Sequence, residues 1–168
     1  SCTSALEMSA LLLRDWEEIQ EIIVPSYTFS STAAAFARAG FKIVFAEIDP
    51  KTMMVDFDDV KSKISSRTAA VVVVHYGGFG AKTKLFKRLC EDNSIYLIED
   101  AAQAFGCIDE GQHLGSLGDL GCYSFHETKN LHAGLSGALV INNTKFMDRA
   151  CHIRERGTNR KEVLKGLA

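Results

Sequence analysis

Short apolar runs rich in β-branched residues alternate along the chain with amphipathic segments of helical length. The runs predict six strands, over residues 21–24, 42–48, 69–75, 95–99, 122–125 and 138–142. The segments predict five helices, over residues 4–13, 31–39, 58–64, 84–93 and 145–156. Residues 71–74 are apolar on both faces of their strand, which is typical of a central strand covered by helices on each side. The alternation therefore predicts an α/β fold of three layers, a mostly parallel sheet flanked by helices.

The composition of the chain argues against several classes of protein. The chain has 168 residues with 19 Lys+Arg and 21 Asp+Glu, a net charge of −2. Near-neutral charge argues against binding to nucleic acid or a membrane surface through bulk electrostatics. The longest strongly apolar stretch, residues 69–74, is far shorter than the roughly 18 residues of a spanning helix. Five scattered cysteines without a CxxC pair favour reduced thiols in a cytoplasmic protein, not a disulfide framework or a zinc site.

The two ends of the chain indicate a fragment. The sequence begins at Ser1, not at Met, and its last run, residues 161–168, stops without a terminating element. No repeat, low-complexity tract or linker interrupts the chain. We therefore expect residues 1–168 to form one domain that is incomplete.

Polar residues follow the predicted strands at the points where the strands end. They are Ser26, Tyr27 and Thr28, then Asp49, then His75 and Tyr76, then Asp100 and Gln103, and finally residues 126–130. Because ligands collect at the carboxyl ends of parallel strands, one edge of the sheet gathers a carboxylate, an amide, imidazoles, hydroxyls and a lysine. This is the set of groups expected of an active site.

Asp100 directly follows the apolar strand at 95–99. A carboxylate that loses water at such a place needs a cationic partner, so Asp100 is a candidate to face a protonated ring nitrogen of a cofactor, with Gln103 reaching the same ligand. The alternative is structural: Asp100 caps a helix that starts at Ala101, and Gln103 completes a capping box.

Lys129 lies in a polar loop after the strand at 122–125. A loop lysine is ordinarily a solvated charge, but this one shares a sheet edge with Asp100. A partly desolvated lysine amine can form a Schiff base with an aldehyde. A lysine Schiff base together with an aspartate on the pyridinium nitrogen is the usual pair in pyridoxal phosphate sites.

A phosphate-binding group is expected near the start of the chain. Ser1, Thr3 and Ser4 precede or begin a predicted helix, and hydroxyls with free backbone N–H groups at a helix start bind anions. Ser124, five residues before Lys129, can supply a further hydroxyl. The alternative for the first residues is an ordinary Ser/Thr helix cap.

Four segments together resemble the DegT/StrS nucleotide-sugar aminotransferases, which are fold-type I pyridoxal phosphate enzymes. They read Pro25-Ser26-Tyr27-Thr28-Phe29-Ser30-Ser31-Thr32, Val74-His75-Tyr76-Gly77-Gly78, Glu99-Asp100-Ala101-Ala102-Gln103 and Ser124-Phe125-His126-Glu127-Thr128-Lys129-Asn130. The last of these, with Arg156-Gly157-Thr158-Asn159-Arg160 downstream, is most similar to the dTDP-4-amino-4,6-dideoxygalactose transaminases. The resemblance extends over nearly the whole chain, from residue 1 to about residue 160.

The resemblance implies a role for each site residue. Lys129 would carry the Schiff base to pyridoxal 5′-phosphate and then move the proton. Asp100 would keep the pyridine nitrogen protonated, and Gln103 would lie beside the ring hydroxyl. Phe29 would stack on the ring. The phosphate would be bound by Thr3, Ser4 and Ser124.

The resemblance also implies the reaction and the partners. L-glutamate would give its amine to the cofactor, which would then aminate a 4-keto sugar nucleotide for enterobacterial common antigen or a related surface polysaccharide. The full-length protein would be a homodimer. Two departures stand out: the amino-terminal stretch and the carboxy-terminal small domain of the family are missing, and Ser136 replaces a glycine in a turn of the family, which predicts strain there.

Three other interpretations stay open. The chain can be a non-catalytic fragment or a decayed copy of such an aminotransferase. It can be a dinucleotide-binding module, because Gly77, Gly78 and Gly80 follow a strand, although without the GxGxxG spacing. A metal site is the third, built from His75, His113, His126 and His132, although no ligand pair at i, i+4 supports it.

Overall fold

The computed structural model describes residues 1–15, 17–155, 157–158 and 160–166. The described helices are α1 (Cys2–Leu13), α2 (Ser30–Arg38), α3 (Phe57–Lys63), α4 (Thr83–Asp92), α5 (Met147–Arg154) and α6 (Arg160–Leu164). The strands are β1 (Glu21–Pro25), β2 (Lys42–Ala46), β3 (Thr68–Val74), β4 (Tyr96–Asp100), β5 (Ile108–Asp109), β6 (Gln112–His113), β7 (Leu120–Phe125) and β8 (Ser136–Ile141). Single 3-10 turns cover Tyr76–Gly78 and Thr144–Phe146.

Six strands form one twisted sheet in the order β2-β1-β3-β4-β7-β8. All neighbouring pairs are parallel except β7 and β8, which are antiparallel. The central strand β3 is buried along its whole length, as expected of a strand whose residues 71–74 are valine throughout. Strands β5 and β6 form a separate two-residue hairpin.

Helices cover both faces of this sheet. On one face, Leu6 of α1 and Phe36 of α2 pack with inward side chains of β1, β3, β4 and β7 such as Val72. On the other face, Val60 of α3 and Phe86 of α4 pack with residues of β1, β2, β3 and β4 such as Val71. The predicted three-layer α/β fold with a mostly parallel sheet is thereby confirmed.

The carboxyl ends of β1, β3, β4 and β7 meet at one edge, and the antiparallel β8 starts there because Ser136 pairs with Phe125. The first turn of α1 reaches the same edge by passing close over β8. A Cβ added at Gly137 would lie 2.4 Å from the carbonyl carbon of Ser1. Glycine at 137 is therefore what lets α1 begin beside the strand ends.

Several predicted details differ in the structure. No helix follows Asp100 in residues 101–107, so the interpretation of Asp100 as a helix cap is wrong. Ser136 lies in extended β8, and the positive φ of that turn is at Gly134, at 68°; the expected strain at Ser136 is absent because the glycine is kept where the turn needs it. The predicted helix at 145–156 is divided into a 3-10 turn and α5.

The β5–β6 hairpin and α6 were not predicted. The motif residues Arg156 and Asn159 lie outside the described residues. None of the described helices has the length and apolarity that crossing a membrane requires.

Candidate active site

A cavity of about 310 Å³ opens at the carboxyl edge of the sheet. Its size lies within the range of small-molecule sites, about 300–1,000 Å³. Six of the seven predicted site residues line it, namely Thr3, Phe29, Asp100, Gln103, Ser124 and Lys129. The fold thus brings together residues that are up to 126 positions apart (129 − 3) in the sequence.

Asp100 is the buried acid of this cavity, with a relative exposure of 4%. Its Oδ2 accepts a hydrogen bond from the Thr32 hydroxyl at 2.8 Å. Its Oδ1 accepts from the Ala102 N–H at 3.1 Å and has the Cys2 thiol at 3.9 Å. The carboxylate is therefore held by two good donors and one weak one, and none of these donors carries a charge.

Burial raises the pKa of the Asp100 carboxyl above its ordinary value. The hydrogen bonds from Thr32 and Ala102 act in the opposite direction, as does the positive charge of Lys129. Burial also raises the pKa of the Cys2 thiol, so that thiol stays protonated. A cation brought into the cavity would relieve the cost of the Asp100 charge.

Lys129 lies in the loop after β7, and its side chain is half-buried. The loop is tied by a backbone hydrogen bond from the Lys129 N–H to the His126 carbonyl, at 2.9 Å. Within the described residues the Lys129 ammonium has neither a hydrogen bond nor an ion pair. The cavity thus contains an amine that no group in the described part of the chain binds directly.

The first turn of α1 places Thr3 at the cavity but not Ser4. The Ser1 hydroxyl accepts from the Ser4 N–H at 3.2 Å and lies 3.1 Å from the Ser4 hydroxyl. Ser4 is exposed and lies outside the cavity lining, because its hydrogen-bonding groups are turned to the helix cap. The backbone N–H groups of Cys2 and Thr3 have no acceptor within the helix, and both residues line the cavity.

Gln103 and Phe29 shape the rest of the cavity. The Gln103 Oε1 accepts from the Gly77 N–H at 2.8 Å, which leaves the amide NH₂ as the group available to a ligand. The Phe29 ring is 75% exposed although it lines the cavity. Exposure of so large an apolar ring at a cavity rim is typical of a surface that a ligand or another chain covers.

Behind the cavity, on the other face of β4, Glu99 is fully buried. Its Oε2 accepts from His75 Nε2 and from the Gly115 N–H, both at 2.8 Å, and its Oε1 accepts from Leu117 and Gly118 N–H groups at 2.7 and 2.5 Å. Since His75 Nδ1 accepts from the Ala81 N–H at 3.3 Å, the imidazole proton lies on Nε2. Although burial acts to raise the pKa of Glu99, these hydrogen bonds lower it below its ordinary value.

Sequence reasoning missed Thr32 and Cys2 as parts of this site, and it named Tyr76 only among the polar residues that follow the strand ends. Tyr76 lines the cavity, and its hydroxyl lies 2.9 Å from that of Tyr27. Thr32 faces the sheet together with Ala35 and Phe36 of α2. The spacing of those three residues at i, i+3 and i+4 is the signal that could have indicated a buried hydroxyl.

Comparison with known proteins gives relatives for this site and fold. The profile of the DegT/DnrJ/EryC1/StrS aminotransferase family matches residues 1–166. The GDP-perosamine synthase of Vibrio cholerae is 34% identical over 152 residues, which is 90% of this chain and 41% of that protein. The dTDP-4-dehydro-2,3,6-trideoxy-D-glucose 4-aminotransferase of Saccharopolyspora spinosa is 32% identical over 157 residues, 94% of this chain and 40% of that protein.

Among solved structures, the aminotransferase TlmJ from Streptoalloteichus hindustanus superposes with a TM-score of 0.86 at 34% identity, over 95% of this chain and 43% of that one. The chain thus spans about two fifths of the length of these relatives. Aminotransferases of this kind depend on pyridoxal phosphate. With a family profile matched over almost its whole length, this chain belongs to the DegT/DnrJ/EryC1/StrS aminotransferase family.

Proposed function

We propose that residues 1–168 are the cofactor-binding large domain of a pyridoxal phosphate-dependent aminotransferase that acts on a sugar nucleotide. One observation carries the proposal. Within the described residues the Lys129 amine has no hydrogen bond or ion pair and the buried Asp100 carboxylate has no cationic donor, and the two line the same cavity. The pair is what a pyridoxal phosphate site requires.

The residues present fit that cofactor at two places. Asp100 would pair with a protonated ring nitrogen, which supplies the cation its buried charge lacks. The free N–H groups at the start of α1, with the hydroxyls of Thr3 and Ser124, would bind the phosphate. Ser4 has no part in this proposal, because its N–H and hydroxyl are engaged by Ser1.

The remaining residues would orient the reacting groups. Phe29 would lie against the cofactor ring, and the Gln103 amide would donate to its hydroxyl. Lys129 would hold the cofactor through its amine, and its Nζ would later accept and return the proton of the amino donor's α-carbon. When bound, pyridoxal phosphate supplies a pyridinium ring that withdraws electrons from that carbon.

For the substrates we propose a 4-keto-6-deoxy sugar nucleotide, dTDP-linked, with L-glutamate as amino donor. The resemblance of the segment from Ser124 to Asn130 to transaminases of dTDP-sugars supports the sugar, as does the activity in the name of the Saccharopolyspora relative. The Vibrio relative is named for a GDP-sugar, so the nucleotide is the point most in need of a test. Surface polysaccharide synthesis is the process that such an amino sugar would serve.

We further propose that the full-length protein is a cytoplasmic homodimer. The exposed apolar side chains at the cavity rim support the dimer: Phe29 and Leu135 are each 75% exposed. A second copy covering this rim would bury both. The five cysteines, all free, support a reducing compartment.

The test is the first half of the reaction. The chain is loaded with pyridoxal phosphate, L-glutamate is added, and release of 2-oxoglutarate is measured alongside the change in the visible absorbance of the cofactor. We expect one equivalent of 2-oxoglutarate per bound cofactor, and regeneration of the starting spectrum by a dTDP-linked keto sugar but not by the GDP-linked one. Bound cofactor without 2-oxoglutarate would contradict catalysis by this chain and favour the non-catalytic fragment.

A further inference from the structure

Thr32 of α2 is a buried hydroxyl that the roles above do not use. It is fully buried, and its Oγ1 lies 2.8 Å from Asp100 Oδ2 and 2.8 Å from the hydroxyl of Thr28. Thr28 in turn lines the cavity. Three side chains from two elements and one loop thus form a continuous hydrogen-bonded chain from the cavity to the buried carboxylate.

The direction of these hydrogen bonds follows from the number of protons that each group can donate. A hydroxyl has one proton to donate, and an ionised carboxylate can only accept. Because Thr32 donates to Asp100, the bond between the two threonines must be donated by Thr28. The protons of both hydroxyls therefore point toward Asp100, and Thr28 presents only lone pairs to the cavity.

Of the hydrogen-bond donors to Asp100, Thr32 lowers the pKa of the carboxyl the most. Among the groups that lower the pKa of Asp100 against the effect of burial, the hydrogen bond from Thr32 has the largest effect, ahead of that from the Ala102 N–H. The Cys2 thiol, at 3.9 Å from Oδ1, is a weak donor. Thr32 also fixes the rotation of the carboxylate, since it is the donor to Oδ2.

We propose that Thr32, oriented by Thr28, is a positioning residue that keeps the Asp100 carboxylate ionised and turned toward the cavity. The assignment of a cationic cofactor nitrogen as the partner of Asp100 rests on the proposed function. The effect of Thr32 on Asp100 does not, because it is a property of the chain without cofactor.

The test measures Asp100 directly, by ¹³C NMR titration of its carboxyl carbon in the cofactor-free chain. Thr32→Val removes the hydroxyl and keeps the shape, and it should raise the pKa of Asp100 by about 1 to 2, the size expected for one charge-assisted hydrogen bond. Thr32→Ser keeps the donor and should restore the wild-type value to within about 0.5. Thr28→Val should raise the pKa by less than Thr32→Val does.

Thr83 provides the matched control. It is a buried threonine, with 3% exposure, and its Oγ1 has no hydrogen-bond partner within the described part of the chain. Thr83→Val should leave the Asp100 titration unchanged. The proposal is overturned if Thr32→Val leaves it unchanged too, or if Thr83→Val moves it as far. If Thr32→Val does not fold, the sign of the Thr28→Val shift decides.

A second measurement separates this proposal from the proposed function. Pyridoxal phosphate is titrated into the same variants at a pH below the measured Asp100 pKa of each, where we expect its Kd to rise about tenfold in Thr32→Val for each unit by which that pKa rises, and to recover in Thr32→Ser. If no variant, nor the wild type, binds pyridoxal phosphate, the proposed function fails while the NMR result stands. If binding is normal in every variant and the Asp100 titration does not move, the role of Thr32 fails and the proposed function stands.

Discussion

Glu99 and Asp100 follow one another in β4, and because side chains alternate along a strand they point to opposite faces of the sheet. Glu99 accepts four hydrogen bonds at 2.5 to 2.8 Å, and its pKa is lowered. Asp100 accepts two good hydrogen bonds and one weak one, and its pKa is raised. Both are buried, so burial alone does not separate them.

What separates the two carboxylates is how far the protein itself satisfies the charge. The four donors to Glu99 join β4 to the loop at 115–118 and to His75, and they leave nothing for a ligand to add. Asp100 has no cationic donor among the described residues, and it lines a cavity. A buried carboxylate whose hydrogen bonds are all made by the protein has a structural role, whereas one without a cationic donor beside a cavity is a candidate binding group.

The largest effect on stability should come from Glu99. Glu99→Gln replaces one acceptor oxygen with an NH₂ group that faces two donors, and we expect the free energy of unfolding to fall by about 3–5 kcal/mol. Urea unfolding monitored by circular dichroism measures this. Glu91→Gln, at an exposed position, is the control and should stay within about 0.5 kcal/mol of the wild type. A loss below about 1 kcal/mol at Glu99 would contradict its structural role.

Asp100→Asn should give the reverse pattern. The amide can donate to Thr32, and the threonine hydroxyls can then reverse their direction, so the free energy of unfolding should change by less than about 1 kcal/mol. Release of 2-oxoglutarate should nevertheless fall about 10²–10³-fold, as expected when a group that stabilises transition-state charge is lost. If the rate fell only as far as the loss of folded protein explains, the role of Asp100 would be merely structural.

The pH dependence of stability should have opposite signs for the two residues. Asp100 has a raised folded pKa, so its contribution weakens the cofactor-free fold as pH rises from its ordinary pKa of 3.8 toward the folded value. Glu99 has a lowered folded pKa, so its contribution is present above pH 4.5 and is lost as pH falls toward the folded value. The free energy of unfolding of Asp100→Asn and of Glu99→Gln is measured across pH 2 to 8 (about the range where carboxyls titrate). Each variant should lack the pH slope that the replaced carboxyl contributes. Slopes of the same sign for the two residues would contradict their opposite pKa shifts.

The smallest expected effect is at Cys2. Its thiol lies 3.9 Å from Asp100 Oδ1, so Cys2→Ala should raise the pKa of Asp100 by less than about 0.5. Cys2→Ser, with a stronger donor, should lower it. NMR titration of the Asp100 carboxyl is again the measurement, and a shift in Cys2→Ala as large as that in Thr32→Val would mean that the donors had been ranked wrongly.

Much of this arrangement could be predicted from the sequence, because it depends on strand ends. The apolar runs place Asp100 and Lys129 after parallel strands, and parallel strands bring their carboxyl ends together. The prediction that Ser4 binds the phosphate depends on where α1 begins, because the Ser4 N–H donates to the Ser1 hydroxyl at the helix cap. That start, at Cys2, lies two residues before the predicted one.

The buried residues behind the cavity, Thr32 and Glu99, could not be predicted in the same way. A threonine within a polar stretch such as residues 30–32 has the composition of a solvated helix start, and only the docking of α2 on the sheet buries Thr32. Glu99 was predicted at a strand end without a role, since its donors come from His75 and from backbone groups of a loop that has no regular pattern. The two-residue strands β5 and β6 have no alternation long enough to detect.

The most direct test of the account is to reduce the complex with pyridoxal phosphate by borohydride and to map the labelled peptide. We expect a visible absorbance band on titration and, after reduction, one adduct at Lys129 that is absent from Lys129→Ala. Lys145→Ala, in which the lost amine is one bonded to Tyr96, should retain the adduct. A reduced adduct on another lysine, or none from the folded chain, would contradict the assignment of Lys129 and Asp100 as the two ends of a cofactor site.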